Sequence, residues 1–358
     1  MNHKQLTFAR EYRGYSQTEL AESIKGLSQS NLSRFEKGFG VLSDDVQKKI
    51  IDFLNFPEEF FDKKINCSID NANYRKRASI GKNLTQKFEN KCKLIGYLID
   101  EFAESIEWPD FKFSPLNVEE GFSPQYVANY NRKLLKLSKD EPVKNIMSLL
   151  EHNGIIIYEI DEIEKFDGVS FLTDKGFPLI IVNKNFSNDR KRFTIAHELG
   201  HILLHNENLY PISSYRDKEK EANVFASEFL MPENEIRNSL KQLKMSDLGD
   251  LKSYWLTSMS SLIRKAKDLN CIDENRYRFF MIEMSRYGYN KKEPIEVFID
   301  SPSCFKNAYQ LLKEELSFNI DDFVNFTALP KDILDDILSF EKLVKLKVLK
   351  LNYLKPLD

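Results

Sequence analysis

The sequence is poor in the features that mark secreted, zinc-ribbon and membrane proteins. Its 358 residues include four cysteines, which lie far apart without a CxxC pair and therefore argue against a disulfide framework. No apolar run approaches the length of a membrane span, and the N-terminus lacks the apolar core of a signal peptide. The formal net charge is −3, so any DNA contact must come from a local patch. These absences predict a cytoplasmic protein without a membrane partner.

The pattern of the chain changes along its length. Residues 1–64 predict four short helices, with Ser16, Ser28 and Ser43 at three of the predicted N-caps. Amphipathic helices follow a polar connector, and then three short β-branched runs, "GIIIYEI", "GVSFLTD" and "FPLIIVN", predict strands. The remainder is helical and carries no motif of known chemistry. The fold class is therefore multidomain and mainly α, with an α+β part that contains a small sheet.

Four segments are predicted on this basis. They are a helix-turn-helix domain at 1–64, a basic linker at 65–83, an α+β domain at 84–240 and a helical C-terminal region at 241–358. The linker segment "NYRKRASIGK" either adds phosphate contacts or is a solvated connector.

Three of the five histidines fall within the stretch "HELGHILLH", at His197, His201 and His205. On a helix, His197 and His201 differ by about 40° of rotation and about 6 Å of rise, so both can bind one zinc ion. Glu198 can then act as the general base on a water molecule, as in the HExxH arrangement of zinc peptidases. His205 has turned about 80° from His197, which indicates packing or a hydrogen bond to a ligand.

Catalytic zinc usually has three protein ligands, and the third is expected from "EKEANVFASEFLMP". The candidates are Glu219 and Glu221. Glu219 lies closer to the buried face of the predicted helix and is the preferred ligand, with Glu221 as the alternative. Asn223, one turn beyond Glu219, is placed to orient a ligating histidine. Gly200 costs helix stability, which suggests that another element approaches it closely.

The stretch "SQTELAESIKGLSQSNLSRFEKG" has the layout of a helix-turn-helix. Its predicted core consists of Leu20, Ala21, Ile24, Leu32 and Phe35. The side chains predicted to contact DNA are Gln17, at a phosphate, and Gln29, Ser30, Asn31, Ser33 and Arg34, in the major groove. Residues 1–64 carry ten positive and ten negative side chains, so non-specific affinity for DNA is weak. The alternative is that this module recognises a protein, such as the helical domain of a related repressor.

With these motifs in view, the sequence resembles the ImmA/IrrE family of zinc metallopeptidases, in the branch with an N-terminal Cro-like (XRE) helix-turn-helix. The resemblance rests on "FTIAHELGHILLH" and "ExxANxFASEFLMP" and extends over nearly the whole chain. It implies a zincin-like α+β fold, a Zn²⁺ ion on His197, His201 and Glu219, and Glu198 as the catalytic residue. It also implies cleavage of helix-turn-helix repressors, which switches on mobile-element or stress genes.

The resulting prediction is a zinc endopeptidase fused to a module that binds operator DNA, with a helix-turn-helix repressor as its protein substrate. If "FPLIIVN" forms an edge strand, an extended substrate can pair with it. A homodimer is compatible with this arrangement. One alternative is a transcriptional regulator whose peptidase-like domain senses a signal and hydrolyses little. Another is an antitoxin that acts by holding a partner protein.

Overall fold

The computed structural model describes residues 1–63, 65, 82–138, 140–161 and 166–339. The basic segment "NYRKRASIGK" lies outside the described residues except for its last residue, Lys82, which begins a helix. The described residues are mainly helical with one small sheet, which confirms the predicted fold class. Within this part of the chain, no helix combines the length and apolar character that a membrane span requires.

The N-terminal helices are α1 (His3–Tyr12), α2 (Gln17–Ser23), α3 (Gln29–Glu36) and α4 (Asp44–Leu54). Ser16 and Glu19 form a capping box at the start of α2, and the Ser28 side chain accepts a hydrogen bond from a backbone amide of α3. Ser43 precedes α4, but its side chain makes no capping bond. All five predicted core side chains are buried: Leu20, Ala21, Ile24, Leu32 and Phe35. The spacing of apolar residues in the sequence therefore predicted this core correctly.

The sheet contains β1 (Ile156–Ile160), β2 (Gly168–Leu172) and β3 (Pro178–Asn183), in the order β1-β3-β2. A tight turn reverses the chain after β2, so β3 pairs antiparallel with β2, and β1 pairs with the other side of β3 in parallel. The expectation that "FPLIIVN" could form an edge strand is wrong, because both sides of β3 are occupied. Among the described strands, β1 and β2 are the edges.

Both faces of the sheet are buried, and alternate residues of β3 point into two different cores. Ile180 and Val182 pack into the core built by α6 (Pro124–Leu134), α7 (Ile146–Glu151), α8 (Asn188–Leu204) and α9 (Lys218–Leu230). Leu179 and Ile181 pack into the opposite core, which includes α5 (Lys82–Phe102). This alternation follows from the two-residue period of a strand.

The C-terminal helices divide between these two cores. Those that join the core of α8 and α9 are α10 (Glu233–Leu240), α11 (Asp247–Trp255), α12 (Met259–Asp268) and α13 (Glu274–Arg286). Those that join α5 and the N-terminal helices are α14 (Cys304–Glu315), α15 (Ile320–Thr327) and α16 (Lys331–Ile337). An ion pair between Arg13 and Asp332 links α16 to the end of α1. The four predicted segments stay a prediction, since packing continues across the boundaries near 64 and 241.

Candidate metal centre

Helix α8 carries the paired histidines through the interior of the protein. His197, Glu198 and His201 are 7%, 3% and 3% exposed, respectively. A Cβ atom on Gly200 would lie 3.1 Å from Cδ1 of Phe225 and 3.2 Å from Cα of Ala222, both on α9. Glycine therefore allows α8 and α9 to approach closely, which explains the helix-weakening residue inside the motif.

The close approach of α9 brings Glu219 to the two histidines. The two Nε2 atoms of His197 and His201 lie 3.0 Å apart. Glu219 places one carboxylate oxygen 3.6 Å from Nε2 of His197 and the other 3.3 Å from Nε2 of His201. Ligand atoms at the corners of a tetrahedral zinc site lie about 3.3 Å apart when each bond is about 2.0–2.1 Å. The observed separations of the three donors thus fit a single zinc ion.

The far side of each imidazole ring has a hydrogen-bond partner that orients it. Nδ1 of His197 lies 3.1 Å from Oδ1 of Asn223, the residue that the sequence places one turn after Glu219. Nδ1 of His201 lies 3.0 Å from Nδ1 of His205. Both rings therefore turn their Nε2 atoms toward Glu219, as ligating histidines require.

The two candidate glutamates of α9 have different partners. Glu219 meets His197 and His201, whereas Glu221 accepts a hydrogen bond from Nε2 of His205 at 2.9 Å and pairs with Arg216 at 2.7 Å. Among the described residues, the group whose donor atoms lie close enough to share a metal ion is His197, His201 and Glu219. The geometry thus favours Glu219 over Glu221 as the third ligand.

Burial and hydrogen bonding set the protonation of these groups. Burial lowers the pKa of His201 to about 3, so its imidazole is neutral, and burial also lowers the pKa of His205. Burial opposes ionisation of Glu219, but its close approach to the imidazoles of His197 and His201 outweighs this and holds the pKa of the carboxyl well below its usual range. A neutral imidazole and a carboxylate are both suitable ligands for zinc.

Glu198 lies beside the histidines at the wall of a cleft. The Ser170 hydroxyl on β2 donates a hydrogen bond of 2.7 Å to Oε2 of Glu198. Burial raises the pKa of Glu198 to about 7, and this hydrogen bond from Ser170 opposes the rise. Sequence reasoning missed Ser170. In the sequence, Ser170 stands out only as a single hydroxyl residue inside an apolar strand. That pattern does not indicate that its side chain faces α8.

The cleft beside the candidate metal centre has two parts, which share lining residues. One part, of about 260 Å³, is lined by residues that include Gly168, Arg190, His197 and Glu198. A wider groove, of about 720 Å³, includes Glu219 and shares Phe193 and Asn223 with the first part. Gly168 also belongs to the residues that sequence reasoning missed. A Cβ atom on Gly168 would lie 2.5 Å from Cγ2 of Thr194, so any side chain there would collide with α8.

The structure places the predicted DNA-contacting residues along α3 and at the start of α2. Most of them are exposed on α3, namely Gln29, Ser30, Asn31 and Arg34, whereas Ser33 is partly buried. Gln17 is also partly buried, and its amide donates a hydrogen bond of 2.6 Å to Glu36 and accepts one of 3.1 Å from Gln29. These bonds hold the start of α2 against α3, so Gln17 is fixed in place beside the exposed face of α3.

Comparison with known protein families matches two parts of the chain. Residues 8–61 match the family described as helix-turn-helix, and residues 151–267 match the IrrE N-terminal-like domain of peptidase family M78. No curated protein and no solved structure matches the chain. The second match spans the sheet and both helices that carry the candidate metal centre. The chain therefore joins an XRE-type helix-turn-helix domain to a domain of the ImmA/IrrE peptidase family.

Proposed function

We propose that the protein is a zinc-dependent endopeptidase that binds operator DNA and cleaves a regulatory protein, with a helix-turn-helix repressor as the preferred substrate. The observation that carries this proposal is the convergence of His197, His201 and Glu219 beside Glu198 at the wall of an open cleft. Three protein ligands leave one position for water or substrate, as in other catalytic zinc sites.

Zinc is the cofactor that this donor set favours, with His197, His201 and Glu219 as its ligands. A bound zinc ion supplies Lewis acidity, which favours attack by water on a peptide carbonyl. Glu198 removes the proton from the attacking water and later delivers a proton to the leaving amine. The hydrogen bond from Ser170 restrains the Glu198 carboxylate.

The substrate is proposed to bind in extended form along β2. Among the described strands it pairs with β3 alone, and its first residue, Gly168, lines the cleft together with Glu198. Backbone hydrogen bonds to an edge strand would hold a flexible segment of the substrate without demanding one sequence. Cleavage within a linker or loop of the repressor is therefore expected.

The helix-turn-helix is proposed to bring the peptidase to its substrate on DNA. Its exposed α3 carries amide and guanidinium side chains, which suit adenine and guanine edges, respectively. Two proteins at neighbouring sites on the same DNA meet at a raised effective concentration. Because operator DNA lies in the cytoplasm, the protein is proposed to be cytoplasmic. If the protein forms a dimer, it would bind two half-sites of the operator.

The test combines metal analysis with cleavage. Purified protein is expected to contain one zinc ion per chain and to cut a helix-turn-helix repressor encoded near its gene. Glu198→Gln is the matched control, since it keeps shape and zinc but removes the base. A single cut that depends on Glu198 supports the proposal, whereas regulation in cells that survives Glu198→Gln contradicts it.

One structural observation favours the alternative of a regulator whose peptidase domain acts as a sensor. The helix-turn-helix shares a core with α5 and α14–α16, and Lys63 pairs with Glu101 of α5 at 2.8 Å. A change in the peptidase domain can therefore reach the DNA-binding module through direct packing. Zinc binding without any cleavage, together with operator affinity that depends on zinc, would favour this alternative.

A further inference from the structure

His205 lies at the end of α8 and takes part in a chain of hydrogen bonds that the peptidase reaction does not use directly. Its Nδ1 lies 3.0 Å from Nδ1 of His201, and its Nε2 lies 2.9 Å from a carboxylate oxygen of Glu221. The other oxygen of Glu221 pairs with Arg216 at 2.7 Å. The His205 side chain is fully buried, and those of Glu221 and Arg216 are 18% and 17% exposed.

The donors and acceptors in this series of hydrogen bonds determine which ring nitrogen of each histidine carries a hydrogen. The Arg216 guanidinium can only donate, so the Glu221 oxygens act as acceptors and Nε2 of a neutral His205 carries the hydrogen. Nδ1 of His205 then has a lone pair and accepts from Nδ1 of His201. The hydrogen of His201 is therefore on Nδ1, and its Nε2 lone pair points at Glu219 and His197, where the metal would bind.

We propose that His205, held by Glu221 and Arg216, is a positioning residue that fixes His201 in the tautomer and orientation required for metal binding. This inference rests on the proposed zinc site and adds a role for residues outside the ligand set. These hydrogen bonds also join the two helices that carry the ligands, because His205 ends α8 and Glu221 lies in the first turn of α9, close to Glu219. Partners of this kind typically contribute tenfold to a hundredfold to metal affinity.

The test measures zinc affinity by competition with a chromophoric chelator and records the visible spectrum of the cobalt-substituted protein. His205→Leu is expected to weaken zinc binding about 10- to 100-fold and to change the cobalt spectrum. His205→Asn is expected to restore part of the affinity, because its Oδ1 can replace Nδ1 as the acceptor for His201. Glu221→Gln keeps an acceptor but loses the charge, so an intermediate loss is expected. His152→Leu, at an exposed histidine directly after α7, is the matched control and should change nothing.

A purely structural role gives a different pattern. In that case His205→Leu lowers the melting temperature of the metal-free protein but leaves the zinc dissociation constant within about twofold of wild type and the cobalt spectrum unchanged, which would overturn the inference. Equal losses in His205→Leu and His205→Asn would also contradict it. If the leucine variant does not fold, an unchanged zinc affinity in Glu221→Gln overturns the proposal instead. Wild-type protein that binds no zinc refutes the proposed function itself, so the two failures are distinguishable.

Discussion

A buried ion pair between α9 and α12 allows a quantitative prediction. Nζ of Lys265 lies 2.6 Å from Oε2 of Glu228, and the two side chains are 6% and 3% exposed. The other oxygen of Glu228 accepts hydrogen bonds from Asn129 at 2.8 Å and from the amide of Glu233 at 3.0 Å. Lys265→Met removes the cation but leaves the carboxylate buried. Loss of one partner of such a pair costs about 3–5 kcal/mol of unfolding free energy.

The effect is measured by urea denaturation. For an m value of about 3 kcal/mol/M, the loss corresponds to a fall in the midpoint of about 1–1.7 M. The double variant Lys265→Met/Glu228→Gln is expected to recover much of this loss, because its amide can still accept the two hydrogen bonds and carries no charge. Lys267→Met is the matched control, since its partner Glu274 is half exposed and solvent screens the pair, so little change in the midpoint is expected. A midpoint shift for Lys265→Met no larger than that of the control would refute the reasoning.

Three further predictions concern the site and the DNA-binding module. Gly168→Ala should lower the free energy of unfolding by about 1–3 kcal/mol in the same assay. Adding Thr194→Ser should recover most of this loss, because it removes the colliding methyl group. A double variant no more stable than Gly168→Ala would contradict this explanation. Gln29→Ala or Arg34→Ala should weaken binding to a fluorescent operator by about 1–3 kcal/mol, whereas equal binding of wild type and variants would exclude base contacts by these side chains. Chelation of zinc should lower the melting temperature, since zinc at about 1,000 times its dissociation constant stabilises the fold by about 4 kcal/mol. In Glu219→Gln, the chelator should lower the melting temperature much less. An equal fall in the variant and the wild type would argue against Glu219 as a ligand.

The candidate site was largely predictable because its main elements are local. The four-residue spacing of His197 and His201 places both imidazoles on one helical face, whatever the rest of the fold. Helical periodicity likewise placed Glu219 nearer than Glu221 to the buried face of α9, and the structure brings Glu219 to the histidines. Their roles as zinc ligands remain proposals that metal analysis will test.

Other features depend on contacts between distant segments and could not be predicted. Ser170 and Gly168 come from β2, about 30 residues before Glu198, and only the packing of α8 on this strand brings them to the cleft. The position of β3 in the centre of the sheet depends on which strand pairs with its second side, and the alternation of apolar residues does not encode that choice.

The sequence alone determined the local structures, because spacing and capping act over a few residues: the helix-turn-helix with its capping box, the three strands, and the pair of histidines on α8. Tertiary structure decided which side chains complete the site. Close packing of α9 against Gly200 brings Glu219 to the histidines and Glu221 to His205. Contacts of this kind are set by shape complementarity between whole elements, which no local pattern in the chain records.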